Sequence, residues 1–113
     1  MDNQTLELRE KIEIVNKTID DFVTAIAVND SDKKDKLYQM FLIQIQEIFP
    51  MIIQYYTRPD MQSLQHELQE WSGQLARIMD AIKGSDLFFL IDVLKFETKE
   101  NLLYLYDVIG KNV

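Results

Sequence analysis

Between Gln4 and Val28, apolar side chains fall at Leu8, Ile12, Val15, Ile19, Phe22, Val23 and Ile26. Steps of mostly three or four residues lay these on one stripe of a helix. Glu7, Glu10, Glu13, Lys17, Asp20 and Asp21 fall largely on the other side. The run Asn29-Asp30-Ser31-Asp32 ends this helix and supplies side-chain oxygens that can cap the next. A second helix is expected from about Asp32, with Leu37, Met40, Phe41, Ile45 and Ile48 at core spacing. Pro50 removes a backbone donor and crowds the preceding turn, which predicts a kink or break beside Phe49. One or two further turns should follow before Arg58-Pro59-Asp60 stops the helix.

The third helix, about Asp60 to Lys83, carries the stripe Met61, Leu64, Leu68, Trp71, Leu75, Ile78, Met79 and Ile82. Thr57 or Asp60 should cap it, with Pro59 tolerated in the first turn. Gly73 costs roughly 1 kcal/mol inside a helix, so its place suggests close approach of a neighbour. Gly84 reads as a left-handed stop, and Ser85 as the cap of a fourth helix ending at Gly110. That helix presents Leu87, Leu90, Ile91, Leu94, Leu102, Leu105 and Ile109 as its main stripe. The two last helices then form an antiparallel hairpin with a loop of about two or three residues. The pattern predicts an all-α fold: one domain over residues 1–113, an up-and-down four-helix bundle with a kink or break near Pro50.

Composition sharpens this picture in two places. With 3 Gly and 2 Pro in 113 residues the elements should be few and long. The net charge of −7 argues against nucleic acid, whose phosphates need a positive footprint, and favours at most a basic partner. The cluster "DKKDK" is neutralised internally by Asp32 and Asp35. No cysteine is present, which removes disulfides and thiolate metal sites. The start "MDNQTLELRE" has no signal-peptide character, and Gln44, Gln46, Glu47 and Pro50 interrupt the longest greasy run. A soluble, cytoplasmic protein without a membrane span is expected.

Candidate chemistry is sparse. His66, the single histidine, pairs at i, i+4 with Glu70, a geometry that can hold one edge of a metal. A dimetal bundle wants Glu-x-x-His on two helices, and this chain has no such motif. The pair lies off the apolar stripe and should face water. A serine nucleophile would have to use His66, and no orienting group or oxyanion site can be placed beside it. Neither a dinucleotide fingerprint nor a P-loop occurs. The expectation is no enzyme, no metal and no cofactor.

The aromatic residues say more. Tyr55, Tyr56, Phe88, Phe89, Phe96, Tyr104 and Tyr106 exceed what one stripe per helix requires. They predict either a fourth helix central to the bundle or a surface that binds a partner. Asp92 sits within this group, on a strip with Phe88, Phe89, Lys95 and Phe96. Three readings stand for it: a solvated acid paired weakly with Lys95, a buried polar contact, or a polar element of a binding surface.

Asp86, Asp92-Val93-Leu94 and Lys95-Phe96-Glu97 together resemble the D-x5-D-x-L-x-x-E signature of a family of small all-helical proteins of Gram-positive bacteria. In that family too an aromatic residue precedes the glutamate, as Phe96 does here; "TKEN" lacks the proline that follows. The resemblance implies a bacterial, helical protein and no biochemical activity. The lead expectation is a non-enzymatic protein-interaction module, adaptor or chaperone-like, binding a protein partner or itself as a dimer. Its surface would be Phe88, Phe89, Asp92, Lys95, Phe96, Tyr104 and Tyr106, extended by Tyr55 and Tyr56. The alternative is a small-molecule or lipid-binding bundle with a pocket opened by Pro50 and lined by Met51, Tyr55 and Trp71.

Overall fold

The computed structural model describes residues 2–111. Helix α1 spans Asn3–Ala27 and α2 spans Ser31–Tyr56. A 3-10 stretch, Pro59–Leu64, leads into α3, Gln65–Lys83. The fourth helix, α4, covers residues 87–111 as Leu87–Asp92, a π-helical stretch Val93–Thr98, and Lys99–Lys111. No strand occurs among the described residues. Each successive pair is antiparallel, and α4 closes the bundle against α1: Lys11 meets Glu47, Tyr56 meets Glu67, Arg77 meets Glu97, and Lys99 meets Asp20. This is the expected up-and-down arrangement, 45 × 24 × 19 Å in extent.

The caps follow simple chemistry, at positions shifted by one from expectation in two cases. Asp2 accepts from the Thr5 amide and Asp30 from that of Lys33, each satisfying an otherwise orphaned donor. The Thr5 amide also holds the Asp2 carboxyl below the usual range. At α4 the cap is Asp86, which accepts from Phe89, and not Ser85. Ser85 instead takes the left-handed conformation, with φ 52°, while Gly84 stays helical at φ −75°. Asn29 serves the same turn after α1, with φ 58°. Neither Thr57 nor Asp60 caps the 3-10 stretch: Thr57 donates to the Gln54 carbonyl and Asp60 pairs with Arg58.

Helix α2 runs through Pro50 without ending. Pro50 and Gln46 both lie on the exposed face. The Gln46 carbonyl that loses its amide partner is therefore open to water, while Ile48, Phe49 and Ile52 stay buried beside it. Gly110 likewise lies inside the helix; a Cβ there would come within 3.1 Å of the Arg9 guanidinium. At Gly73 the space where a Cβ would go is empty to 4 Å, so no helix approaches it closely.

The core is built from the inner stripes of all four helices, with Tyr56, Phe22 and Phe41 among its largest fully buried members. Met40 and Met79, placed in the core by spacing, are 46% and 42% exposed. On α3 the buried line is Glu67, Trp71, Gln74, Ile78 and Ala81, in steps of four and three, while Leu64, Leu68 and Leu75 sit at its edge. On α4 the stripe contains a phase problem. From Leu90 to Leu102 a straight α-helix turns about 120° beyond whole turns, which would carry the last two turns off the core. A π-turn absorbs one extra residue and reduces the mismatch to about 20°. Leu90, Leu94, Leu102, Leu105 and Ile109 are all buried as a result.

Candidate interaction surface

The first half of α4 follows a hairpin loop at Gly84–Asp86 and reaches past what the core can cover. Phe88 is 78% exposed and Phe96 64%, with Phe89 less so at 36%. Full burial of such a ring is worth roughly 1.5–3 kcal/mol relative to exposure, and among the described residues these two rings are the most open aromatic side chains. Phe89 leans toward α3, where the Arg77 guanidinium lies 5.7 Å from its ring. Phe96 turns the other way and lines a groove against α1, together with Ile19 and Val23. Phe88 stands outermost. Asp92 and Lys95, both exposed, lie along the same ridge.

Asp92 is wet, and it makes no ion pair with Lys95 or any other cation among the described residues. Lys95 instead rests its ammonium 5.2 Å from the Phe96 ring. The pairs that do form flank the ridge: Arg77 grips Glu97 through two contacts of 2.7 Å, and Lys99 meets Asp20 at 2.6 Å. The two-pronged contact with Glu97 also holds the Arg77 guanidinium proton more firmly than usual.

The tyrosines part company with this ridge. Tyr55 and Tyr56 are buried, and do not extend any surface. Tyr106 belongs to the α1–α4 seam: it donates to Glu13 and carries the Arg9 guanidinium 4.0 Å over its ring. Tyr104 has an exposed ring, yet its hydroxyl turns inward to Glu67 at 3.0 Å. The phenylalanines, Asp92 and Lys95 are thus brought together, while Tyr104 and Tyr106 serve opposite seams.

Among the described residues the buried acid is Glu67, a residue that the leucine pattern of α3 hides. It is 5% exposed and sits one turn from Trp71. Tyr56 donates to one carboxylate oxygen at 2.9 Å and Tyr104 to the other. One side chain therefore ties α2, α3 and α4 together. Burial pushes the Tyr56 phenol well above its ordinary range; Trp71 opposes that shift and the Glu67 carboxylate adds to it. The hydrogen bond to Glu67 raises Tyr104, with burial second. One step along the seam, Asn101 donates to Gln74, whose own amide nitrogen is buried without a partner. The spacing 67-71-74-78-81 was a usable signal for this face; the phenols that complete it come from distant parts of the chain.

His66 is exposed, 67% by side chain, and approaches Glu67 rather than Glu70, at 4.0 Å. Among the described residues no group of three or more metal-binding side chains comes together. Met51 and Tyr55 do line a groove of about 430 Å³, but its other wall is the start of α1 and not Trp71. Trp71 packs edge-on against Phe49, with ring centroids 6.0 Å apart. No helix among the described residues is long and apolar enough to cross a membrane. Comparison with family models, curated proteins and solved structures gave no match, so the family resemblance over residues 86–97 rests on those residues alone.

Proposed function

We propose that the protein is a cytoplasmic, non-enzymatic interaction module, adaptor or chaperone-like, that uses the outer ridge of α4 to bind a protein. The observation that carries this reading is the exposure of Phe88 and Phe96 on one short segment flanked by ordered ion pairs. Aromatic rings with a polar rim are what protein-binding patches display. The rings add little to the stability of the isolated bundle, so their cost in water needs a return elsewhere. The test is the double variant Phe88→Ala/Phe96→Ala, compared with wild type for stability and for capture of partners from the native cell. Stability should stay within about 0.5 kcal/mol, as for ordinary surface changes, while specific capture is lost. A loss of about 3 kcal/mol or more would assign the rings to the core, and unaltered capture would remove the ridge from binding.

A second reading, a small-molecule or lipid-binding bundle, draws support from the groove beside Met51 and Tyr55. Its volume of about 430 Å³ lies within the range of ligand sites. Titration with decanoate should then shift the Met51 methyl resonance selectively. An unmoved Met51 signal would set this reading aside.

A further inference from the structure

We infer that the occupant of the α4 ridge is a second copy of this chain, related by a two-fold axis passing beside Asp92. The inference rests on the reading of the ridge as an interaction surface and names what covers it.

Charge gives the first reason. A chain of net charge −7 repels its own copies over most of its surface. The groove between α1 and α4 is an exception: Asp20 and Glu100 are matched there by Lys95 and Lys99. A basic partner would gain nothing from so balanced a patch, whereas a second copy can approach it without repulsion.

Self-complementarity gives the second. An isologous contact needs a patch that fits itself after a half-turn. The ridge has apolar ends, Phe88 and Phe96, and opposite charges between them, Asp92 and Lys95. Those two charges have no ion-pair partner among the described residues, while Glu97 and Lys99 beside them are paired with Arg77 and Asp20. Phe88 and Phe96 stand about 12 Å apart along the axis, with Asp92 midway. Turned end for end, the ridge sets Phe88 of each copy level with Phe96 of the other. Asp92 then lies level with the second copy's Asp92 and about 4.5 Å along the axis from its Lys95, so the two acids sit between two ammonium groups and both cross-pairs can form at once.

The π-turn gives the third. In a straight α-helix Phe88 and Phe96 would point about 80° apart; the π-helical stretch begins at Val93 and takes up part of its extra residue before Phe96, which narrows that angle. The same irregularity that keeps the core stripe in phase thus draws the two rings toward one line. Beside Phe96, the groove of about 370 Å³ has room for the incoming ring of Phe88.

The experiment is sedimentation equilibrium of the full chain from micromolar to several hundred micromolar, with melting curves to show that each variant is folded. Wild type should form dimers across this range. Phe88→Asp should weaken the dimer at least about tenfold, and Asp92→Lys or Lys95→Asp alone about tenfold each. The combined Asp92→Lys/Lys95→Asp variant should return to within about threefold of wild type, because both cross-pairs re-form with reversed polarity. A chain that stays monomeric throughout overturns the two-fold contact. So does a dimer indifferent to Phe88→Asp, or a double charge variant as weak as either single one. The interaction reading itself is tested separately by Phe88→Ala/Phe96→Ala: a monomer whose binding to another protein still requires those rings loses only the present inference.

Discussion

Glu67 shows what a single residue must arrange to live inside a bundle. An unpaired carboxylate at its depth would cost several kcal/mol. Two phenols, Tyr56 and Tyr104, supply a donor to each oxygen and so offset that cost. Removing one donor leaves the acid under-satisfied in a dry place, and hydrogen bonds to charged groups carry about 1.5–3 kcal/mol. Tyr56→Phe should therefore lower unfolding stability by about that amount in urea titrations, although it deletes one oxygen atom. Tyr104→Phe should cost less, since water can reach its ring. Alkali provides a second test at the same residues. Tyr56, Tyr104 and Tyr106 all hold their protons more tightly folded than unfolded. Above about pH 10, where unfolded tyrosines ionise, the native state binds more protons than the unfolded one. Stability is then complete below about pH 10 and falls as pH rises beyond it, with a shallower fall in Tyr56→Phe. A urea midpoint independent of pH between 9 and 11.5 would contradict this account.

Helices α1 and α2 were legible in the sequence because their apolar spacing is regular and the run 29–32 between them offers capping oxygens; the α1 cap, Asp2, carried no such signal. What escaped reading were features set by partners far along the chain or by small phase errors. Glu67 was not singled out by the spacing of α3, since Tyr56 and Tyr104, which satisfy it, lie 11 and 37 residues away. The ridge around Phe88 was visible as surplus aromatics, but no local pattern could say that Tyr55 and Tyr56 turn inward. The π-turn was written in the eight-residue gap between Leu94 and Leu102, which a straight stripe passes over. That gap yields a deletion prediction. Removing exposed Lys95 takes out the absorbed residue, leaving a regular α-helix in which Leu90 and Leu102 still share a face. The variant should fold with helical circular dichroism close to wild type. Deleting exposed Lys17 from α1, by contrast, turns Ile19 and Phe22 about 100° off the core and should unfold the domain. Gly73 offers a gain instead. Its missing Cβ would meet nothing within 4 Å, so Gly73→Ala should stabilise α3 by about 1 kcal/mol in thermal or urea unfolding.

Across the whole molecule the four seams are unequal. The α1–α2 pair is knit by long apolar stripes, from Leu8 through Phe22 on one side and Leu37 through Ile52 on the other. The two seams of α3 are polar by comparison: Glu67 and Gln74 occupy its buried line, and the Gln74 amide nitrogen is left without a partner. A short 3-10 stretch, lacking a side-chain cap, forms its only lead-in from α2. Free energy of local opening follows buried apolar contact and satisfied hydrogen bonds, so the bundle should loosen from this side first. Native-state hydrogen exchange at low denaturant should show amides of α3 opening at lower free energy than those in the middle of α1 and α2. The Gly73→Ala variant should raise the α3 value alone, because it acts on that helix before the rest has moved. Uniform protection across all four helices would mean that the polar clasp on α2 and α4 binds α3 as firmly as the apolar seam binds α1 to α2. Early opening of α3 would also leave the ridge of α4 without Arg77, the residue that seats Phe89 and fixes Glu97. Association through the ridge should then protect α3 amides as well as those of α4, although α3 contributes little to the contact itself.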